Sequence, residues 1–142
     1  MKNLLLSAAL TVSVACPVHA ACLDVVVQGS QNGQNILVGL YGEDQPFPRP
    51  GEHLTNQQAE MADGSVSMRF KGLMPNAYAL AIAVDENKNG VLDTGLFGIP
   101  TEPVAFSSDA RSGLFGPPRF TAAAFDVAES NECHRETILL QG

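Results

Sequence analysis

The 142-residue chain carries 15 acidic and 8 basic side chains, a formal charge of −7, and is 45% hydrophobic with no tryptophan. An acidic surface of one sign argues against nucleic acid and anionic lipid as partners and favours solubility or cations.

The N-terminus is read first. Lys2 precedes an apolar stretch from Leu4 to Val14, Pro17 ends any helix, and Val18-His19-Ala20 offers small or modest side chains to a signal peptidase. Residues 1–20 are therefore expected to be a signal peptide cleaved after Ala20, with residues 21–142 forming one domain. The apolar run is short of the roughly 20 residues a membrane span needs, so no span is expected after processing. Acylation at Cys16 or Cys22 is a weaker alternative, because Ser13-Val14-Ala15-Cys16 fits the usual acylation pattern poorly. About 120 residues remain, enough for a single core.

Three cysteines become two when Cys16 leaves. In an oxidising compartment an even count points to a bridge, so Cys22 and Cys133 are expected to pair. Each stands just before a strand-like run, and a sandwich can lay those strands side by side. The expected location is the periplasm or the extracellular medium.

Most of the remaining chain alternates in period two. Leu23–Val27 and Ile36–Tyr41 read as strands separated by the turn residues Gly29-Ser30-Gln31-Asn32-Gly33. The segment Pro46-Phe47-Pro48-Arg49-Pro50-Gly51 cannot donate to a ladder at its prolines and is expected to lie outside the sheet. Glu52–Met61 is polar, with a short crossover helix as its expected form.

Val66, Met68 and Phe70 alternate with Ser65, Ser67, Arg69 and Lys71, giving one buried and one wet face. The run Ala77–Val84 puts Tyr78, Leu80, Ile82 and Val84 on one face and alanines on the other. A helix would scatter those large side chains, so a strand is expected despite alanine's helix preference. Gly72–Asn76 reads as the tight turn before it. Val104–Ser107, Phe120–Val127 and Glu136–Leu140 are weaker strands, with Ala122-Ala123-Ala124 equally able to form a helical turn. No internal repeat is expected. The pattern predicts an all-β fold, an antiparallel two-layer sandwich of about seven strands.

The most specific chemical feature is the loop Asp85–Asp93. Side-chain oxygens stand on Asp85, Asn87, Asn89 and Asp93, at loop positions 1, 3, 5 and 9, with Gly90 at the sharp turn and the Val91 carbonyl at position 7. This spacing lets a hard cation such as calcium collect oxygens from one turn. Position 12 is Leu96, so the usual bidentate glutamate is absent, and a site would be weaker or would borrow Glu102, Asp109 or Asp126. The alternative is a plain polar turn, because Asn89-Gly90 is a favoured type I′ pair. No catalytic motif stands out: there is no nucleophile elbow, zinc-protease motif or phosphate loop, and His53 and His134 are isolated. Gly113-Leu114-Phe115-Gly116 runs into two prolines and cannot open a phosphate-binding helix. A binding or structural module acting on an extracytoplasmic protein or small ligand is expected, with a hydrolase using Asp85, Asp93, Glu102, Asp109 and Arg111 as the rival.

Five segments in order carry a resemblance: Phe70–Tyr78, Asp85–Asp93, Gly98-Ile99-Pro100-Thr101-Glu102, Ala105–Ala110 and Phe115–Phe120 resemble the exported bacterial domain of unknown function 2141. The resemblance implies a secreted or periplasmic β-sandwich with no established activity. The Gly-Leu-x-Pro-x-x-Tyr turn before an Asp-rich loop is also similar to transthyretin-like and adhesin sandwiches, in which such loops hold calcium. Asn76 stands where glycine is common, a change that positive φ at asparagine would tolerate.

Overall fold

The structure is a computed structural model that describes residues 20–29 and 32–140. The expected signal peptide lies outside the described residues apart from Ala20. Among the described residues no helix is long and apolar enough to cross a membrane.

Among the described residues eight strands form two sheets: β1 Ala21–Gln28, β2 Asn35–Gly42, β3 Thr55–Glu60, β4 Ser65–Leu73, β5 Asn76–Asp85, β6 Val104–Phe106, β7 Phe125–Val127 and β8 His134–Leu139. One sheet runs β4-β1-β8; the other runs β3-β2-β5-β6, with β7 also pairing β5. The inner faces interdigitate: Leu23, Val25, Val27, Met68 and Phe70 from one sheet meet Ile36, Val38, Leu40, Leu80 and Ile82 from the other. Each such side chain contributes about 1.5–3 kcal/mol when buried. That outweighs the helix preference of the β5 alanines, which is below about 1 kcal/mol per residue.

The alanine face of β5 is covered too. Ala79 is buried with Phe106 and Ala123, and Phe47, Ala81 and Phe120 pack around them. Phe47 is the hub, with edge contacts to Tyr41, Phe106 and Phe120. Small residues on β5 leave room for this thin outer layer. The proline-rich segment lies outside the sheet as expected, and the buried Tyr41 hydroxyl donates to Arg49 O at 2.8 Å.

The sandwich departs from expectation at several places. Glu52–Met61 is not helical; it holds β3, an edge strand registered on β2 from Asn35↔Glu60 to Leu40↔Thr55. Its burial alternates only weakly, so period two was masked by polar side chains on both faces. Not every pair is antiparallel: β1 and β8 run parallel, with Leu23 opposite His134. Phe120–Ala123 forms the helical turn α1, and only Phe125–Val127 is strand. Asn76 takes no positive φ; Gly72, at φ 72°, does. The Asn76 side chain instead accepts the Ala77 N–H at 2.9 Å. Tyr78 closes the same turn, its hydroxyl donating to Met74 O at 2.7 Å.

The parallel pair explains the disulfide. Cys22 and Cys133 each stand one residue before the first pair of the parallel β1–β8 ladder, Leu23↔His134, which sets them across from one another. They are bonded, with Cα atoms 4.6 Å apart.

Candidate functional site

The loop grows from the end of β5, where Asn35 of β2 stands opposite Asp85. Asp85 is a buried carboxylate, 1% exposed. Its Oδ1 accepts the Asn89 N–H at 3.0 Å, and its Oδ2 accepts the Gly90 N–H and the Asn35 amide, each at 2.8 Å. Burial pushes this carboxyl up, but the Asn35 amide and the N–H groups of Gly90, Asn89 and Lys88 outweigh burial and hold it below its ordinary 3.8.

The other candidates gather over this base. Asn87 Oδ1 accepts the Asn89 N–H, and Asn89 Oδ1 accepts the Val91 N–H, both at 3.0 Å. The amide nitrogens of Asn87 and Asn89 both donate to the Asp93 carboxylate. Asp85, Asn87, Asn89 and Asp93 thus form one hydrogen-bonded cluster, with Val91 at its exposed shoulder. Lys88 and Gly90 take the positive φ values, 58° and 81°. Asn89 does not, so Asn89-Gly90 is not a type I′ pair, which needs positive φ at both residues.

Glu102 is the residue whose role the sequence hid. It is 8% exposed, and its two oxygens accept the N–H groups of Glu86 and Asp93, both at 2.9 Å. The Asp93 carbonyl in turn accepts the Thr101 N–H at 2.9 Å and the Thr101 hydroxyl at 3.1 Å. Glu102 therefore clamps both ends of the loop through backbone rather than offering a free oxygen to a cation. A buried glutamate in Gly-Ile-Pro-Thr-Glu had no spacing to betray a backbone clamp.

The remaining candidates stand apart. Asp126 pairs with Ala77 at the opposite end of β5, about 26 Å along the strand from Asp85. Asp109 and Arg111 line a groove beside the loop. His134 stacks on Phe125 and contacts Glu136 at 2.8 Å, and His53 packs edge-on to Tyr41. Among the described residues no three His, Cys, Asp or Glu side chains converge closely enough to hold a metal. The cluster's side chains are two carboxylates and two amides, oxygen donors of the kind a hard cation takes.

Fold and cluster define an all-β two-sheet sandwich with a polar loop clamped at one end. The chain belongs to the family described as an uncharacterized protein conserved in bacteria (DUF2141), which matches residues 25–134. No curated protein matches the chain. No solved structure matches it either.

Proposed function

We propose that this chain is an exported, non-enzymatic binding or structural module, freed of residues 1–20, whose Asp85–Asp93 loop takes up calcium. The observation that carries this reading is the pairing of the Asn87 and Asn89 amide nitrogens with Asp93. A carboxylate facing two amide N–H groups occupies the position that a cation's ligand would hold. The amide oxygens of Asn87 and Asn89 each accept one backbone N–H and keep a second lone pair for a cation, so no amide need flip. A cation then replaces the N–H donors, and Asp93 and Asp85 supply the charge. The backbone fold needed for this is fixed beforehand by Asp85 and Glu102.

The hydrolase alternative draws no support from the same residues. Acid–base catalysis needs carboxyls facing an open cleft and free to exchange protons. Asp85 and Glu102 are buried and bonded to backbone N–H groups.

Calorimetric titration of the mature protein with calcium tests the reading. Binding with a dissociation constant of roughly 10⁻⁴–10⁻³ M is expected, since the twelfth-position carboxylate is missing. Asp93→Ala removes the binding and keeps the fold. Absence of calcium binding by wild type would refute the proposal.

A further inference from the structure

The tetrapeptide Gly-Leu-Phe-Gly occurs twice, at 95–98 and 113–116, a repeat too short to register as a structural period. Both copies present bare apolar side chains: Phe97 is 98% exposed, Leu114 98% and Phe115 103%. The second copy is a closed tip, in which Gly113 and Gly116 exchange backbone hydrogen bonds of 2.8 and 3.3 Å. Fully exposed Leu and Phe side by side mark a surface that becomes covered.

What covers it is suggested by the adjoining residues. Ala110, Arg111 and Ser112, immediately before the tip, form one wall of a groove of about 460 Å³ between the edges of β6 and β8. Buried Val84, Phe106 and Ile138 lie beneath it, while Glu86, Asp109 and Arg111 are exposed around it. The wall is held off β6 by a strained elbow: Ser108 and Asp109 both take positive φ, 54° and 52°. Ser107 and Ser108 anchor that elbow by donating to Ala123 O at 2.6 and 3.2 Å. Successive non-glycine residues in this region persist only where the surroundings enforce them, and they concentrate at binding surfaces.

We propose that the groove receives the Leu114–Phe115 tip of a second copy of this chain, in a two-fold dimer. Tip and groove are contiguous, so a two-fold axis beside residues 110–113 places each tip in the other copy's groove and closes the assembly. An aromatic side chain covers about 150–250 Å². With Leu114 and the groove walls counted on both copies, on the order of 1,000 Å² is buried, the lower bound for a specific interface and the size of a weak, concentration-dependent dimer. The exposed charges are self-complementary, with Arg111 of one copy able to face Glu86 or Asp109 of the other. A bilayer would cover the tip and leave the groove open.

Sedimentation velocity of the mature protein in EDTA, from micromolar to submillimolar concentration, tests this independently of calcium. A concentration-dependent dimer is expected, stronger at 0.5 M salt because two acidic copies then repel less. Leu114→Ser with Phe115→Ser weakens association at least about 100-fold. The matched change at the other copy of the motif, Leu96→Ser with Phe97→Ser, leaves the dimer intact. Ala110→Phe fills the groove and also gives monomer, and mixing it with the 114/115 variant restores a weak heterodimer through the one intact tip and groove. Wild type that stays monomeric throughout overturns the proposal, as does a dimer that survives the 114/115 change. Monomer that binds phosphatidylcholine vesicles through Leu114 and Phe115 overturns it in favour of a membrane surface.

Discussion

Asp85 concentrates the chemistry of the loop in one side chain. The sequence marks it out because it opens the oxygen spacing that runs to Asp93. Its structural work was not legible there, because the Asn35 partner comes from 50 residues away and the N–H donors are fixed by folding. A carboxyl with a depressed folded pKa contributes stability that is fully present above its unfolded value and lost as pH falls through the lower folded one. For Asp85 that loss begins near 3.8 and continues below it. In EDTA, the melting temperature of Asp85→Asn should therefore lie furthest below wild type near neutral pH. The gap should narrow as pH falls below about 4. A gap that stays constant from pH 7 to pH 2.5 would show that the carboxylate's charge is not what the loop uses.

At the scale of elements, β5 and its loop act as one unit, clamped by Glu102. Replacing Glu102 with alanine strands two backbone donors, each costing about 1–3 kcal/mol if left unpaired in the interior. Urea denaturation should place Glu102→Ala about 2–4 kcal/mol below wild type, allowing for partial hydration, with Glu102→Gln retaining part of the difference. Equal midpoints for wild type and Glu102→Ala would contradict the clamp. β1, β2, β4 and β5 were readable because large apolar side chains recur at every second position, against polar residues in β4 and alanines in β5. β3 was not, since Thr55, Asn56, Gln57 and Gln58 are polar on both faces and only pairing with β2 makes them a strand. The loop carries Asp85, Glu86 and Asp93 with a single cation, Lys88, and its ammonium reaches Glu60 on β3 at 3.3 Å. Local spacing reveals which atoms can meet; it does not reveal which distant strand supplies the competitor.

The whole molecule is a two-sheet sandwich tied across its first and last strands. The cysteine spacing pointed to adjacent first and last strands but not to their direction, and the general alternation suggested an antiparallel fold throughout; β1 and β8 in fact run parallel. The bridge closes 111 residues of sequence, and chain entropy sets its contribution at no more than about 4–5 kcal/mol. Cys22→Ala with Cys133→Ala should accordingly lower unfolding free energy by roughly 2–4 kcal/mol in denaturant titrations. An unchanged midpoint would mean that the reduced chain already holds its ends together. On this tied frame, the proposed calcium ion would add only a modest increment. At tenfold excess over the dissociation constant, linkage gives about 1.4 kcal/mol, or a rise in melting temperature of roughly 4–6 °C for a domain of this size. The direct measurement is a pair of thermal melts of the mature protein, one in EDTA and one in 10 mM calcium, repeated for Asp93→Ala. The account predicts that wild type gains those few degrees, that magnesium gives less, and that Asp93→Ala gains nothing. Identical calcium responses in wild type and Asp93→Ala would contradict it.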